Sequence, residues 1–310
     1  MLFYKLQNWI LYDKLDWNEL SLNKNAIFLL EKNLDKINWT NLSINPNAIH
    51  LLEKYKNKIN WSNLSINPNA IYLLENNMNK IDWRLISSNP NAISIIEKNL
   101  SKIDWDLLSS NSNAIHILKK NINKINWSYL SLNPNAIDLL EKNHSKIDWY
   151  LILKNPNAVH LFKNIINDNP YIGLDGSWNL KYVYSFLCSN ENSVGVLQEN
   201  NKYFDWDKLS RNPNAICLLE KNYDKINWNG LSLNTNAIHI LKQNIEHINW
   251  FNLSSNISIF EIDYDALKKR IQPFTEELMM KCFHPEKLEY YLTNYNYDIG
   301  DEEYIKDSNI

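Results

Sequence analysis

Apolar residues return along this chain in two alternating groups, a tryptophan with a leucine three positions on and then a block of the form AIxLL, separated by short polar stretches. The whole pattern, WxxLSxNPNAIxLLEKNxxKI(N/D), repeats every 22 residues: Trp17, Trp39, Trp61, Trp83, Trp105, Trp127 and Trp149 keep that interval, and Trp206, Trp228 and Trp250 resume it. A fixed period of roughly 20 to 50 residues marks a solenoid, in which each unit buries its apolar face against its neighbours. Leucine-rich repeats share the period and also carry a fixed asparagine, but their strand needs an alternating LxL, whereas the paired AIxLL is helical spacing. The pattern predicts an all-α fold, an α-solenoid of stacked 22-residue helical hairpins with a C-terminal helical cap.

The unit beginning at Trp39 shows how the hairpin should form. Asn45 before Pro46 is a helix-start signal, because the asparagine oxygen accepts an orphan backbone N–H and proline has none to leave unpaired. A helix over residues 46–54 follows, with Ala48, Ile49, Leu51 and Leu52 spread over a wide arc, as in an element packed on more than one side. Further along the unit an asparagine recurs (Asn33, Asn77, Asn99, Asn121, Asn143, Asn222, Asn244), which fits a left-handed residue closing the helix. The residue before each tryptophan is Asp16, Asn38, Asn60, Asp82, Asp104, Asn126, Asp148, Asp205, Asn227 or Asn249. Each reads as the N-cap of a second, very short helix that buries its Trp and Leu.

The beat is suspended once. Trp149 to Trp178 spans 29 residues and Trp178 to Trp206 spans 28, which predicts two consecutive units with insertions of 7 and 6. The domain plan is an N-terminal cap over 1–16, regular repeats over 17–149, two repeats with insertions over 150–205, regular repeats over 206–259, and a C-terminal helical cap with an acidic tail over 260–310. Ala266, Leu267, Ile271, Leu278 and Met279 supply the expected buried side of that last segment.

Composition adds few constraints. The formal charge is -3, with 32 basic and 35 acidic residues, so no global field favours a nucleic acid. Three cysteines, far apart and odd in number, fit a reducing compartment better than a disulfide framework. The N-terminal residues interrupt their apolar character with Lys5, Gln7 and Asn8, unlike a secretory signal, and no apolar run approaches the ~18 residues of a membrane span. The expectation is a soluble, intracellular protein.

Catalytic and cofactor motifs are missing: there is no Gly-rich phosphate loop, HExxH, CxxC pair or GxSxG elbow. The expectation is a protein without enzymatic activity, cofactor or metal. Candidate partner-binding residues fall in two places. One is the variable helix position occupied by Phe28, His50, Tyr72, His116, His160 and His239. Its histidines come from units at least two steps apart, about 16 to 20 Å at ordinary helix spacing, too far for a shared metal. The other is the irregular stretch with Tyr171, Trp178, Tyr182 and Tyr184, whose aromatics either bind a partner or pack the gap that the irregularity makes. A lysine column (Lys36, Lys58, Lys80, Lys102, Lys124, Lys146, Lys225) could track phosphates. The recurring glutamates Glu31, Glu53, Glu75, Glu97, Glu141 and Glu220 make a mixed-charge solvated face the simpler reading.

With the NPNAIxLLEKN units and the closing segment IFEIDYDALKKRI…EELMMKCFHPEKLEYYL both in view, the chain resembles repeat proteins encoded by giant double-stranded DNA viruses. Phe283, His284 and Pro285, followed by Leu288 and Tyr291, look like that class's terminal motif. The resemblance covers nearly the whole chain and supplies no catalytic residue or cofactor. It implies a virus-encoded protein in the host cell cytoplasm or the virion. The expected function is a non-enzymatic scaffold for protein–protein interaction, with a structural part of a virus particle and a nucleic-acid-binding solenoid as alternatives.

A buried tryptophan removes ~150 to 250 Å² from water, about 4 to 6 kcal/mol before entropy is subtracted. Trp127→Ala should therefore lower the thermal unfolding midpoint sharply, whereas Lys120→Ala should leave it nearly unchanged; paired melts of the two variants check this.

Overall fold

Each repeat folds as two short helices joined by tight turns. The structure is a computed structural model and describes residues 3–161, 180–197 and 201–295. The chain divides into two units, Lys5–Glu261 and a second made of Met1–Tyr4 with Ile262–Ile310. Apart from the pairing of two three-residue strands, Tyr4–Leu6 and Phe260–Ile262, the regular elements among the described residues are helical. None of the described helices is long and apolar enough to cross a membrane.

The short helix starts where the sequence places it. In the Trp39 unit it runs Trp39–Leu42, and the Asn38 side chain accepts the Asn41 N–H; Asp82, Asp104, Asn126, Asp205, Asn227 and Asn249 cap their helices the same way. The second helix starts later than its proline suggests, at Ile49 with Ala48 in the capping position, and runs Ile49–Lys54. Residues 45–48 instead form a turn in which the Asn45 Oδ1 accepts the Asn47 N–H at 3.0 Å. The asparagines expected to close this helix in a left-handed conformation do not adopt it: Asn33 has φ -137° and Asn77 φ -141°. They close it through the side chain, which donates to the carbonyl four residues back, Asn33 to Leu29 at 2.8 Å and Asn77 to Leu73 at 2.9 Å, satisfying an orphan acceptor of the last turn.

The main sequence reading that fails concerns the tryptophans. Leu42, Ala48 and Leu52 are wholly buried, but every repeat tryptophan is only half-buried. In most units the open ring face is covered by lysine instead, and at Trp39, Trp149, Trp206 and Trp228 it meets the ring of Tyr55, His144, Phe204 or His247. Lys36, Lys80, Lys102, Lys124 and Lys146 place their ammonium groups 4.4 to 4.8 Å from the ring centroids of Trp17, Trp61, Trp83, Trp105 and Trp127, the tryptophan that begins the same unit in each case. Most of the lysine column is thus a set of cation–π lids, each worth about 0.5 to 1 kcal/mol at an exposed site.

The buried polar residues carry the stacking. Asn45 donates its side-chain amide to the carbonyls of Ser21 and Asn23 in the preceding unit, at 3.0 and 3.1 Å, and Asn67, Asn89, Asn111, Asn133, Asn155, Asn212, Asn234 and Asn256 repeat that pair of bonds. The second asparagine of each N-P-N forms a parallel, more exposed ladder, as where Asn69 donates to the Pro46 carbonyl at 2.9 Å. The serine of WxxLS forms a third: Ser43 Oγ donates to the Trp39 carbonyl at 2.8 Å and accepts at 3.0 Å the N–H of Asn60, the residue that caps the next unit's first helix.

These ladders have no end. Asn23, in the Trp17 unit, donates to the carbonyls of Ser254 and Asn256 at 3.0 and 3.1 Å, Asn25 donates to Ile257, and Asp16 donates its N–H to Ser254 Oγ at 2.8 Å. The Trp250 unit therefore packs on the Trp17 unit with the same bonds that join any two neighbours, and the solenoid closes on itself. The closing unit is composite. Trp250–Ile259 supply its start, and Tyr12–Asp16 supply its end, with Lys14 over the Trp250 ring at 5.6 Å and Leu15 buried.

The irregular stretch holds two units, but the second begins at Tyr184 rather than Trp178. Asn190 donates to the Asn155 carbonyl and Asn192 to that of Pro156, so these units are direct neighbours although 35 residues separate the two asparagines. Counting back six positions from Asn190, as from Asn45 to Trp39, places Tyr184 in the tryptophan position, and the additional 13 residues form a single insertion ahead of it. Trp178 is outside the repeat register and, like Tyr171, outside the described residues.

In the second unit the C-terminal segment is helical, Tyr264–Cys282 followed by Pro285–Tyr295. The side expected to be buried is open: Ala266 and Leu267 are half-buried, but Ile271, Leu278 and Met279 are exposed.

Removing a buried donor that serves two carbonyls costs about 2 to 6 kcal/mol, counting roughly 1 to 3 for each carbonyl left unsatisfied. Asn23→Ala, at the seam, should destabilise the fold as much as Asn111→Ala in the interior. Urea unfolding of both variants reads this directly, since in an open array the loss at residue 23 would be much the smaller.

Candidate functional site

The interruption of the repeat is also where the surface departs most from the regular array. A cleft of about 620 Å³ opens between the starts of the Tyr184 and Trp206 units, lined by Lys181, Tyr182, Ser185, Tyr203, Phe204, Asp205, Trp206 and Asp207. The helix Leu180–Ser189 forms one wall, longer than any WxxLS helix because the insertion adds residues ahead of Tyr184. The helix Trp206–Arg211 and the turn before it form the other.

Tyr182 and Tyr184 behave oppositely although two residues apart. Tyr182 is 63% exposed and faces the cleft, whereas Tyr184 is 2% exposed, fills the tryptophan position, and lies 5.4 Å from the Tyr203 ring. Tyr203 occupies the place that lysine takes in the regular units, so here a ring covers a ring. Tyr184 is therefore a core residue, a correction to its reading as a partner contact. The floor is polar: Ser185 Oγ donates to Asp205 Oδ2 at 2.5 Å, and Lys208 Nζ donates to Ser185 Oγ at 2.7 Å while lying 4.7 Å from the Phe186 centroid. At the rim, exposed Asp207 accepts the Asn227 amide through Oδ1 at 2.6 Å.

Cys188 sits behind this wall in the serine position of the ladder and accepts the Asp205 N–H at 3.3 Å through sulfur. Burial, assisted by the nearby Asp205 charge, pushes its thiol up to about 11, against the smaller lowering by that N–H and by Lys208. The thiol is therefore a packing group and a weak acceptor rather than a nucleophile.

The variable helix position is exposed in a regular column, but its histidines are engaged. His50, His116, His160 and His239 each meet the glutamate of the preceding unit, with Nε2 to Oε1 distances of 2.6 Å to Glu31, 2.9 Å to Glu97, 3.2 Å to Glu141 and 3.0 Å to Glu220. Tyr72 is 71% exposed, and Phe28 is half-buried with the Lys32 ammonium 4.0 Å from its centroid. The structure does not bring the histidines together, and among the described residues no group of three or more His, Cys, Asp or Glu could hold a metal ion. Lys181, Ser185, Phe204, Trp206 and Asp207 were not singled out by the sequence reading. The signal that would have found them is the register of Asn190 and Asn192, which places Tyr184 at a unit start and groups these residues around it.

Comparison of the chain with family models, curated proteins and solved structures gives no match.

At pH 8 a thiol raised to about 11 is ionised to only about one part in a thousand. Of the three free thiols, exposed Cys217 and Cys282 should react with iodoacetamide in the native protein while Cys188 stays protected until unfolding. Peptide mapping by mass spectrometry checks this.

Proposed function

We propose that the chain is a non-enzymatic interaction scaffold that takes a protein partner in the cleft of the irregular unit, with the variable helix column as a second contact surface. The observation that carries this reading is the contrast between the cleft and the rest of the array. In the regular units the recurring polar residues are used between neighbours and the recurring rings are covered within the unit, whereas the cleft presents the Tyr182 ring to solvent. Exposed aromatics with mixed charge on a rigid array suit a protein surface, which is recognised through ring burial with a polar rim. The lysine column supports a nucleic-acid reading less well, because five of its ammonium groups sit over tryptophans. The resemblance to giant-virus repeat proteins would make the partner a viral or host protein met in an infected cell.

Affinity capture from infected cells with the full chain and with Tyr182→Ala tests the proposal. The substitution removes an exposed ring, so the thermal midpoint should stay within a degree or two. A protein retained by the wild type and lost by the variant supports the cleft as the contact. An unchanged set of captured proteins, with the variant folded, overturns it. Abundance in purified virions without any cleft-dependent partner would favour a structural part of the particle instead.

A further inference from the structure

The smaller unit concentrates exposed apolar side chains in one helix. Ile271, Phe274, Leu278, Met279 and Met280, all in Tyr264–Cys282, are each more than half exposed. At about 100° per residue, Leu267, Ile271, Phe274 and Leu278 fall within about 60° of one another and form a single stripe. Pro273, which removes one helical N–H, lies on the opposite side of the helix.

The stripe is symmetric about its own midpoint. Its spacing of four, three and four residues reads the same in both directions, so a two-fold axis between residues 272 and 273 sets Leu267 opposite Leu278 and Ile271 opposite Phe274. The flanking charges follow the same symmetry. Arg270 and Glu277 border one edge of the stripe, both exposed. In an antiparallel pair, edge residues of the same side face each other with a small offset from the apolar layers, which brings Arg270 of one helix to Glu277 of the other, twice. A parallel pair in register would set this edge against the other edge of the partner helix, so Arg270 and Glu277 would not meet and the ion pairs would be lost. The other edge carries Lys268 and Thr275, which meet without repulsion.

We propose that this helix is a self-association site, and that two copies of the chain pair through antiparallel Tyr264–Cys282 helices with reciprocal Arg270–Glu277 ion pairs. Within one copy the Arg270 guanidinium lies 5.6 Å from the centroid of Phe3 in the N-terminal segment, and Glu277 bonds Lys281 of its own helix at 2.6 Å, while a carboxylate has acceptor sites for a second donor as well. A single helix pair lies at or below the low end of specific interfaces, ~1,200 Å² in total, so the dimer should be in the micromolar range.

Sedimentation velocity of the full chain from about 1 to 100 μM tests the proposal. The wild type should shift from monomer to dimer with concentration. Arg270→Glu alone and Glu277→Arg alone each set like charges together twice and should weaken the dimer at least tenfold, while an equimolar mixture of the two variants should regain wild-type association, because every pair is then opposite in charge. Unchanged circular dichroism keeps the comparison among folded proteins. A wild type that stays monomeric at 100 μM, a single variant that dimerises like the wild type, or a mixture no tighter than its components would overturn the proposal.

Discussion

The amide of the buried asparagine is the interaction on which this architecture depends. Its two N–H groups bind two carbonyls of the preceding unit, its oxygen accepts an N–H two residues on, and its own backbone carbonyl receives the next asparagine, so donor and acceptor are used in every direction. Because the side chain is buried, each bond is made away from competing water and each missing one would leave an uncompensated polar group. No buried side-chain nitrogen or oxygen among the described residues lacks a partner. The ladder therefore fixes the unit-to-unit offset as strictly as a strand pairing would, and the helices are short because this turn interrupts them at a fixed place.

Closure follows from the same constraint. A ladder rung is indifferent to whether its neighbour precedes it in sequence, so Asn23 donates to Ser254 and Asn256 as readily as Asn45 donates to Ser21 and Asn23. The composite unit at the seam was written in the chain but hidden by its split. Tyr12-Asp13-Lys14-Leu15-Asp16-Trp17 matches Tyr223-Asp224-Lys225-Ile226-Asn227-Trp228 almost residue for residue, which marks 12–16 as the end of a repeat whose beginning must come from elsewhere.

Period, helix type and the Asp/Asn caps before each tryptophan were legible because they are local: a cap bonds residues two or three positions away. What the asparagines do was not, since recurrence shows that a residue is constrained without showing which neighbour constrains it, and a helix-start motif and an inter-unit bridge look alike in sequence. Tryptophan misled twice. Its size suggested a buried anchor, whereas leucine and alanine fill the core and lysine lids cover its open face. Its constancy made Trp178 look like a unit start, whereas the polar register counted back from Asn190 gives Tyr184, an aromatic substitute that packs where the indole would. The charges of the lysine column read as a surface pattern because cation–π contact depends on ring orientation, which the spacing alone does not contain.

The same ladders locate the place where the array gives way to variation. Leu153 stands where most units carry the bridging serine and has no hydroxyl, Cys188 replaces the next serine with a weak sulfur acceptor, and the Asn190 to Asn155 rung is long at 3.3 Å. Two neighbouring units thus lose the strongest part of one ladder and stretch another, and the insertion lies between them. The seam between chain ends, by contrast, keeps full bonding. Weakened periodic bonding around the insertion relaxes the geometry that identical neighbours impose elsewhere, and it is there that the longer helix and the cleft occur. An array built from bonds that leave no free polar group can acquire a distinctive surface only where it forgoes some of them, so the loss of regular bonding and the candidate partner site are consequences of a single departure from the repeat.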